Sequence, residues 1–373
     1  MSRFIFYLIL VNLITNMIAI TPRILIIGSK SGTVLAIVLA LVIGMVLTYT
    51  IVRLFSQFPG QGLPEIMKKT MPKWISTPIL LFFSLAWYFA GLIVILIYTV
   101  ITIRFLTPEM PIFVIFLAFL LIVTYGVYMS TDKILYFSEI VFIISMPFIF
   151  FVLLKGYAST DLNWDYIRVA ALHINHLPNY TSFSTSLYIV IGAANLVIFN
   201  RYFTKPKKPT GKGMALLTLI CTFILLTTYF LPIGFGGFDS LDNVLFPWIT
   251  TSDSIRMKFG IVERIVFLFI GFFFALGVVS TTTLWHVSMQ LLSSTFYFKR
   301  FKFKSFNLTL PFFMFLFWIV AMYTTREITI DGLFKSVEFF DKIFLPILLV
   351  LLIGSLLLAK RRGSASTCPK SKK

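Results

Sequence analysis

The sequence predicts an all-α integral membrane protein with ten transmembrane helices, and three observations carry that prediction. Of its 373 residues, 58% are hydrophobic and only 12% charged, with a mean hydropathy of +0.95, outside the range of soluble domains. The apolar residues gather into runs near the length of about 20 residues that a bilayer-spanning helix requires. The charges between these runs sort by sign of excess, as loops on two sides of a membrane do.

The runs fall at about 4–28, 33–55, 76–105, 110–129, 134–154, 183–203, 214–237, 260–296, 308–324 and 340–359. An even number returns the chain to its starting side. On that side, Arg3 and the stretches 53–73, 132–139, 201–212, 299–304 and 360–373 hold 21 Lys and Arg against Glu65, Asp132 and Glu139. The other side holds 11 basic and 11 acidic residues. A miscounted helix would scramble this separation. Basic loops stay cytoplasmic, so both termini are expected in the cytoplasm, and the net charge of +18 reads as topology, not as a nucleic-acid surface. Residues 1–359 form one ten-helix domain, and 360–373 (KRRGSASTCPKSKK) form a basic tail expected to be disordered and to lie along anionic lipid.

The first run, residues 4–27, reads FIFYLILVNLITNMIAITPRILII. It is too long for the core of a signal peptide. It carries Asn12, Thr15 and Asn16, then Thr21 and Pro22, where a plain anchor would carry Leu. Pro22 lacks an N–H and crowds the preceding turn, freeing carbonyls around Ile18 and Ala19. Open backbone at membrane depth must face protein, water or ligand. The run is therefore either a broken helix at a ligand site, as in many secondary transporters, or a Pro-kinked helix whose polar groups bond its neighbours. The sixth run (FSTSLYIVIGAANLVIFNRYF) places Gly192 and Asn195 near its middle, at the corresponding place of a five-plus-five arrangement.

The third and eighth runs exceed a bilayer's need and are expected to tilt or protrude. Residues 62–73 read as a short interfacial helix. The long stretches 156–182 and 238–259 read as an external lid and a re-entrant or capping hairpin.

Several short motifs in order give a resemblance across the chain: Thr21, Pro22 and Arg23; Arg53 and Leu54 with Gln57, Phe58, Pro59 and Gly60; Tyr88, Phe89, Ala90 and Gly91. Gly192 follows, ahead of the basic Lys205, Pro206, Lys207 and Lys208; then Phe246, Pro247 and Trp248 lead to GIVERI at 260–265. In these the chain resembles the permease-like B subunit of spore germinant receptors, within the amino acid-polyamine-organocation transporter superfamily. The resemblance implies a leucine-transporter-like 5+5 inverted repeat with helices 1 and 6 broken. It further implies a nutrient sensor in the inner membrane of the spore, working with a receptor A subunit and a C-subunit lipoprotein. Its pocket would take a small nutrient, an amino acid by preference, among helices 1, 3, 6 and 8. Carried onto this sequence, the pocket positions are Thr15 and Asn16, Tyr88 and Leu92, Ile191 and Gly192, and Ser280 with Thr281. The chain departs from the family where Thr15, Asn16 and Met17 replace glycines of the first break and where Ala194 and Val266 replace glutamates.

At such a site half-helix ends offer amides to a carboxylate and carbonyls to an ammonium. Thr15, Asn16 and Asn195 add side-chain hydrogen bonds, Tyr88 a closing ring, and the STTT stretch at 280–283 four hydroxyls for ligand or ion. The alternative for those hydroxyls is a bond to their own i−4 carbonyls. Glu139 reads as an interfacial ion pair with a basic loop, or a proton carrier. Glu263 suits the N-terminal dipole of helix 8. His173 and His176 lack further metal ligands, and His286 reads as bonded within the bundle. No grouping of nucleophile, base and acid proposes an enzyme, and no cofactor is implied. A stand-alone proton- or sodium-coupled amino acid permease and a structural subunit with a vestigial pocket remain as alternatives.

Overall fold

The computed structural model describes residues 2–255, 265–296, 302–303 and 306–366. Each of the ten apolar runs is helical. The first becomes α1 (Arg3–Ile18) and α2 (Thr21–Ile27), and the second is α3 (Thr33–Phe55). The expected interfacial helix is α4 (Leu63–Thr70), followed by α5 (Lys73–Phe105), α6 (Ile112–Val127) and α7 (Thr131–Tyr157). A surface helix, α8 (Trp164–Leu172), lies in the stretch read as a lid. The sixth run becomes α9 (Tyr180–Val190), a 3-10 turn over Gly192–Asn195, and α10 (Leu196–Phe199). Then come α11 (Gly211–Gly236), α12 (Pro247–Ser254) in the capping stretch, α13 (Ile265–Thr295), α14 (Thr309–Glu327) and α15 (Ile330–Ser366). Lys302–Phe303 and Phe306–Asn307 pair as a minimal antiparallel hairpin.

Among the described residues, seven helices are long and apolar enough to cross a membrane, and nine spans result if each of two bent pairs is one. The bends measure 59° between α1 and α2 and 52° between α9 and Gly192–Tyr202. The apolar α6, at 16 residues, is shorter than the rest. Rows of large apolar side chains face outward, such as Val42 and Val46 on α3 and Ile140, Ile143 and Ile144 on α7. Water would penalise so wide an apolar surface, and lipid does not. The chain is a multi-pass membrane protein.

The last helix differs from expectation at both ends. It begins at Ile330, ten residues before the run that predicted it, and its backbone stays helical to Ser366, beyond residue 360 where a disordered tail was expected. Asp331, Lys335, Glu338, Asp341 and Lys342 had made its first turns read as a loop. Their spacing lets apolar Leu333, Phe334, Val337 and Phe344 share a buried stripe, so a helix forms despite them. Glu263, Arg264, most of the basic 299–304 stretch and the tail after Ser366 lie outside the described residues.

The long pair α5 and α13, of 33 and 31 residues, packs as a spine. Two glycines let the helices approach. A Cβ on Gly91 would stand 2.4 Å from Trp285 Cδ1, and one on Gly277 would stand 2.7 Å from Tyr98 Cδ2. Each helix thus lends a slot to an aromatic ring of the other. Ser84 and Ser288 tie them further, each hydroxyl donating to the other's carbonyl at 2.8 and 2.7 Å.

Candidate functional site

The two bends meet. Asn12, on α1, donates its amide to the carbonyls of Tyr188 and Ile189 at 3.1 Å each, close to where α9 ends and its last carbonyls lose helical partners. Gly192 sits directly on α1: a Cβ there would fall 2.6 Å from both Ile9 Cα and Leu8 O. Glycine is required at this position by the approach of a backbone, with no special torsion involved. At the other bend, Tyr98 donates its hydroxyl to Thr15 O at 2.7 Å. Asn16 donates to Asn12 O at 2.8 Å.

Two small cavities flank this junction. One, of about 30 Å³, is lined by Asn12, Trp87, Ile191, Gly192 and Asn195 among others. The second, of about 10 Å³, is lined by Asn16, Thr21, Val94, Ile97 and Asp341. Ala90, Tyr188 and Phe340 border both. A single water needs about 10–15 Å³ by this measure, so neither volume admits an amino acid in this conformation.

Of the residues expected at a ligand site, Ile191, Gly192 and Asn195 line the first cavity and Asn16 the second. Asn195 Oδ1 accepts from Trp87 Nε1 at 2.7 Å. Thr15 is fully buried at the contact with α13 and donates to Leu276 O at 3.3 Å. The remaining four border neither cavity. Tyr88 donates to Phe317 O at 2.9 Å and stacks on Trp285 with centroids 5.5 Å apart, which commits its ring to α13 and α14. Leu92 faces an apolar groove bordered by α5 and α15. Ser280 and Thr281 are buried in α13. The hydroxyls of Thr281, Thr282 and Thr283 have no hydrogen-bond partner among the described residues, so these three do not make the i−4 bonds that membrane threonines favour.

Sequence reasoning missed Asn12, Trp87, Ala90, Tyr98, Tyr188 and Asp341. Asn12 had a signal, since 12, 15 and 16 share one helical face. Trp87 lies one residue from the expected Tyr88, and a single residue rotates a helix side chain by about 100°.

At the α4 end the polar groups are arranged differently. Asn200 Nδ2 donates to Phe55 O, Phe58 O and Gln61 O at 3.2, 2.7 and 2.7 Å. Arg201 reaches Glu65 with Nε at 3.1 Å and Nη2 at 2.7 Å, and its Nη1 donates to Gln290 Oε1 at 3.0 Å. Burial alone would raise the Glu65 carboxyl. The hydrogen bonds and charge of Arg201, with the Gly62 N–H, outweigh it and hold Glu65 below the usual carboxylate range.

The lesser expectations resolve simply. Glu139 pairs with Arg3 at 3.2 Å, the interfacial ion pair rather than a bare carboxylate. His286 bonds Val127 O and Thr131 Oγ1, each at 3.1 Å. His173 and His176 stack at 5.4 Å, and no metal-binding group of three or more His, Cys, Asp or Glu occurs among the described residues.

A search of curated proteins finds no match. A sequence model of a family described as spore germination protein matches residues 1–359. With that match spanning the whole bundle and both bends, the chain belongs to the spore permease family of spore germination proteins.

Proposed function

We propose that this chain is the nutrient-sensing, permease-like subunit of a spore germination receptor. It has ten spans, with α1–α2 and α9–α10 as the broken first and sixth helices of a leucine-transporter-like five-plus-five repeat. It sits in the inner membrane of the spore with both termini in the cytoplasm, and it passes its signal to a receptor A subunit and a C-subunit lipoprotein. The ligand, a small polar nutrient of the amino acid class, binds where the two bends join.

The observation that carries this reading is the junction itself. Asn12 of the first bent pair holds the carbonyls of Tyr188 and Ile189 in the second, so a ligand that parts the second bend pulls on α1 as well. With cavities of about 30 and 10 Å³, the conformation described has no room for such a ligand. A nutrient that binds a wider state favours it by its differential affinity for the two. Beyond the bend, Asn200 and Arg201 bind the loop before α4, Glu65 and Gln290, which gives the shift a route to the surface where partner subunits dock. Asn16, Ile191, Gly192 and Asn195 form the binding surface, with Thr15 buried behind them against α13. Tyr88, Leu92, Ser280 and Thr281 join it only if the bundle rearranges.

Deletion of the gene followed by germination assays against amino acids, sugars and nucleosides tests the role. A response to one nutrient lost on deletion and restored by the intact gene supports it; unchanged germination to every nutrient contradicts it. A second reading, a stand-alone proton- or sodium-coupled permease, is favoured by the unpartnered hydroxyls of Thr281, Thr282 and Thr283. It predicts cation-dependent amino acid uptake by the chain alone in vesicles.

A further inference from the structure

The geometry points to Asp341 as the counter-ion of a small monovalent cation held between α1, α9 and α15, supplied either as a free ion or as the ammonium group of a bound nutrient. The second source rests on the nutrient reading above; the first does not.

Asp341 is 2% exposed. Its Oδ2 accepts from Thr185 Oγ1 at 2.6 Å, while its Oδ1 has no hydrogen-bond partner among the described residues and the residue lines the smaller cavity beside Asn16 and Thr21. A carboxylate offers about four acceptor positions, and here one is filled. Isolated ionised groups are costly in an apolar surrounding, and the wall opposite is formed by Ile93, Val94 and Ile97.

Neither Lys342 nor Arg23 pairs with Asp341, although Arg23 Nη1 has no hydrogen-bond partner among the described residues. Lys342 pairs with Glu338 at 3.6 Å. Arg23 lies over the Phe334 ring at 4.1 Å, and Phe334 precedes Asp341 by seven residues, about 10 Å of helical rise. No described basic side chain forms an ion pair with Asp341.

The cavity also selects by size and polarity. Its volume of about 10 Å³ suits one water-sized group, which describes a bare monovalent ion or a primary ammonium head. Asn16 turns its amide nitrogen toward Asn12, at 2.8 Å from its O and 3.5 Å from its Oδ1, so what it retains for the cavity is a carbonyl oxygen. Two oxygen acceptors, one charged, favour a cation and repel an anion.

The test uses the full-length protein purified in detergent or nanodiscs, with thermal unfolding followed at constant ionic strength in choline chloride. Sodium, potassium, ammonium and methylammonium chlorides replace choline in turn. At saturation, one or more of these is expected to raise the melting temperature of the wild type by about 2–4 °C. Asp341→Asn keeps an acceptor for Thr185 but removes the charge, and should raise the half-saturating concentration about tenfold or more. Thr185→Val retains the charge and should raise it about threefold, an arm that survives if Asp341→Asn does not fold. Response to ammonium and methylammonium assigns the site to an amine head, and response to sodium or potassium alone assigns it to a free ion. The proposal is overturned if no salt differs from choline, or if Asp341→Asn responds as the wild type does. It is overturned equally if Arg23→Gln shows a cation response that the wild type lacks, since Arg23 would then be the native partner of Asp341. None of these readouts involves germination, so a failure of the nutrient-receptor reading leaves this result standing.

Discussion

At the α4 end, the two N–H groups of Asn200 are shared among three carbonyls, and Arg201 meets Glu65 and Gln290 with Nε, Nη1 and Nη2. At the bends, Asp341 holds one bare oxygen, while on the spine beside them Thr281, Thr282 and Thr283 hold unpartnered hydroxyls. Both regions carry polar groups at the bundle, yet in the first every side chain named is tied to its own chain. Native interiors rarely leave such groups unsatisfied without a reason. The difference separates two jobs. The α4 end is a fastener whose bonds fix α3, α4, α10 and α13 to one another, whereas the bends retain unspent capacity for a ligand, an ion or a second conformation.

The contrast breaks most visibly at Gly192. A methyl there meets backbone of α1 at 2.6 Å, which no rotamer relieves. Gly192→Ala should cost about 3 kcal/mol or more, read as loss of the monodisperse folded fraction on size exclusion. The next effect is expected at the fastener. Asn200→Ala strands buried carbonyls and should cost about 2–3 kcal/mol in thermal unfolding. Asp341→Asn sharpens the comparison by its opposite sign. Relieving a buried, half-satisfied charge should leave the fold unchanged or stabilise it by about 1 kcal/mol, and equal destabilisation by both variants would erase the distinction drawn here.

Smaller effects follow at the exposed side of the fastener. Glu65→Gln should cost about 1 kcal/mol, since its carboxylate is partly open to solvent. Because Arg201 and Gly62 hold the folded Glu65 carboxyl below its ordinary value, its contribution is complete above that ordinary value. It is lost as pH falls through the depressed one. The acid limb of a stability profile should therefore flatten in Glu65→Gln. Tyr88→Phe removes one hydrogen bond to Phe317 O and should cost about 1 kcal/mol without altering the response to any nutrient.

Much of the fold was legible because lipid imposes a coarse rule. Apolar run length located the long helices, and the sorting of Lys and Arg put Arg3, Glu139, Glu65 and Arg201 on one side, where they form two ion pairs. The bends were legible through Pro22, whose missing N–H acts locally, and through Gly192, whose residue type betrays the close approach of α1. The site was legible only in part. Ile191, Gly192, Asn195 and Asn16 border the cavities, but hydropathy carries no rotational phase fine enough to choose Trp87 over Tyr88. Asp341 escaped because the charged first turns of α15 mimic a loop. For the hydroxyls at 281–283, local reasoning left a ligand or ion role and i−4 bonding both open. Thr99, Thr102, Thr228 and Thr325 do bond their i−4 carbonyls, and nothing in the STTT stretch marks it as different.

The central claim is that the joined bends, and not the aromatic cluster around Tyr88, form the nutrient site. The most direct test is the germination dose-response of spores carrying Asn16→Ala or Tyr88→Phe, with receptor levels matched by immunoblot. The half-maximal nutrient concentration should rise about tenfold in Asn16→Ala, the loss of roughly 1.4 kcal/mol of binding, and stay at the wild-type value in Tyr88→Phe. A shift in Tyr88→Phe with none in Asn16→Ala would contradict the account.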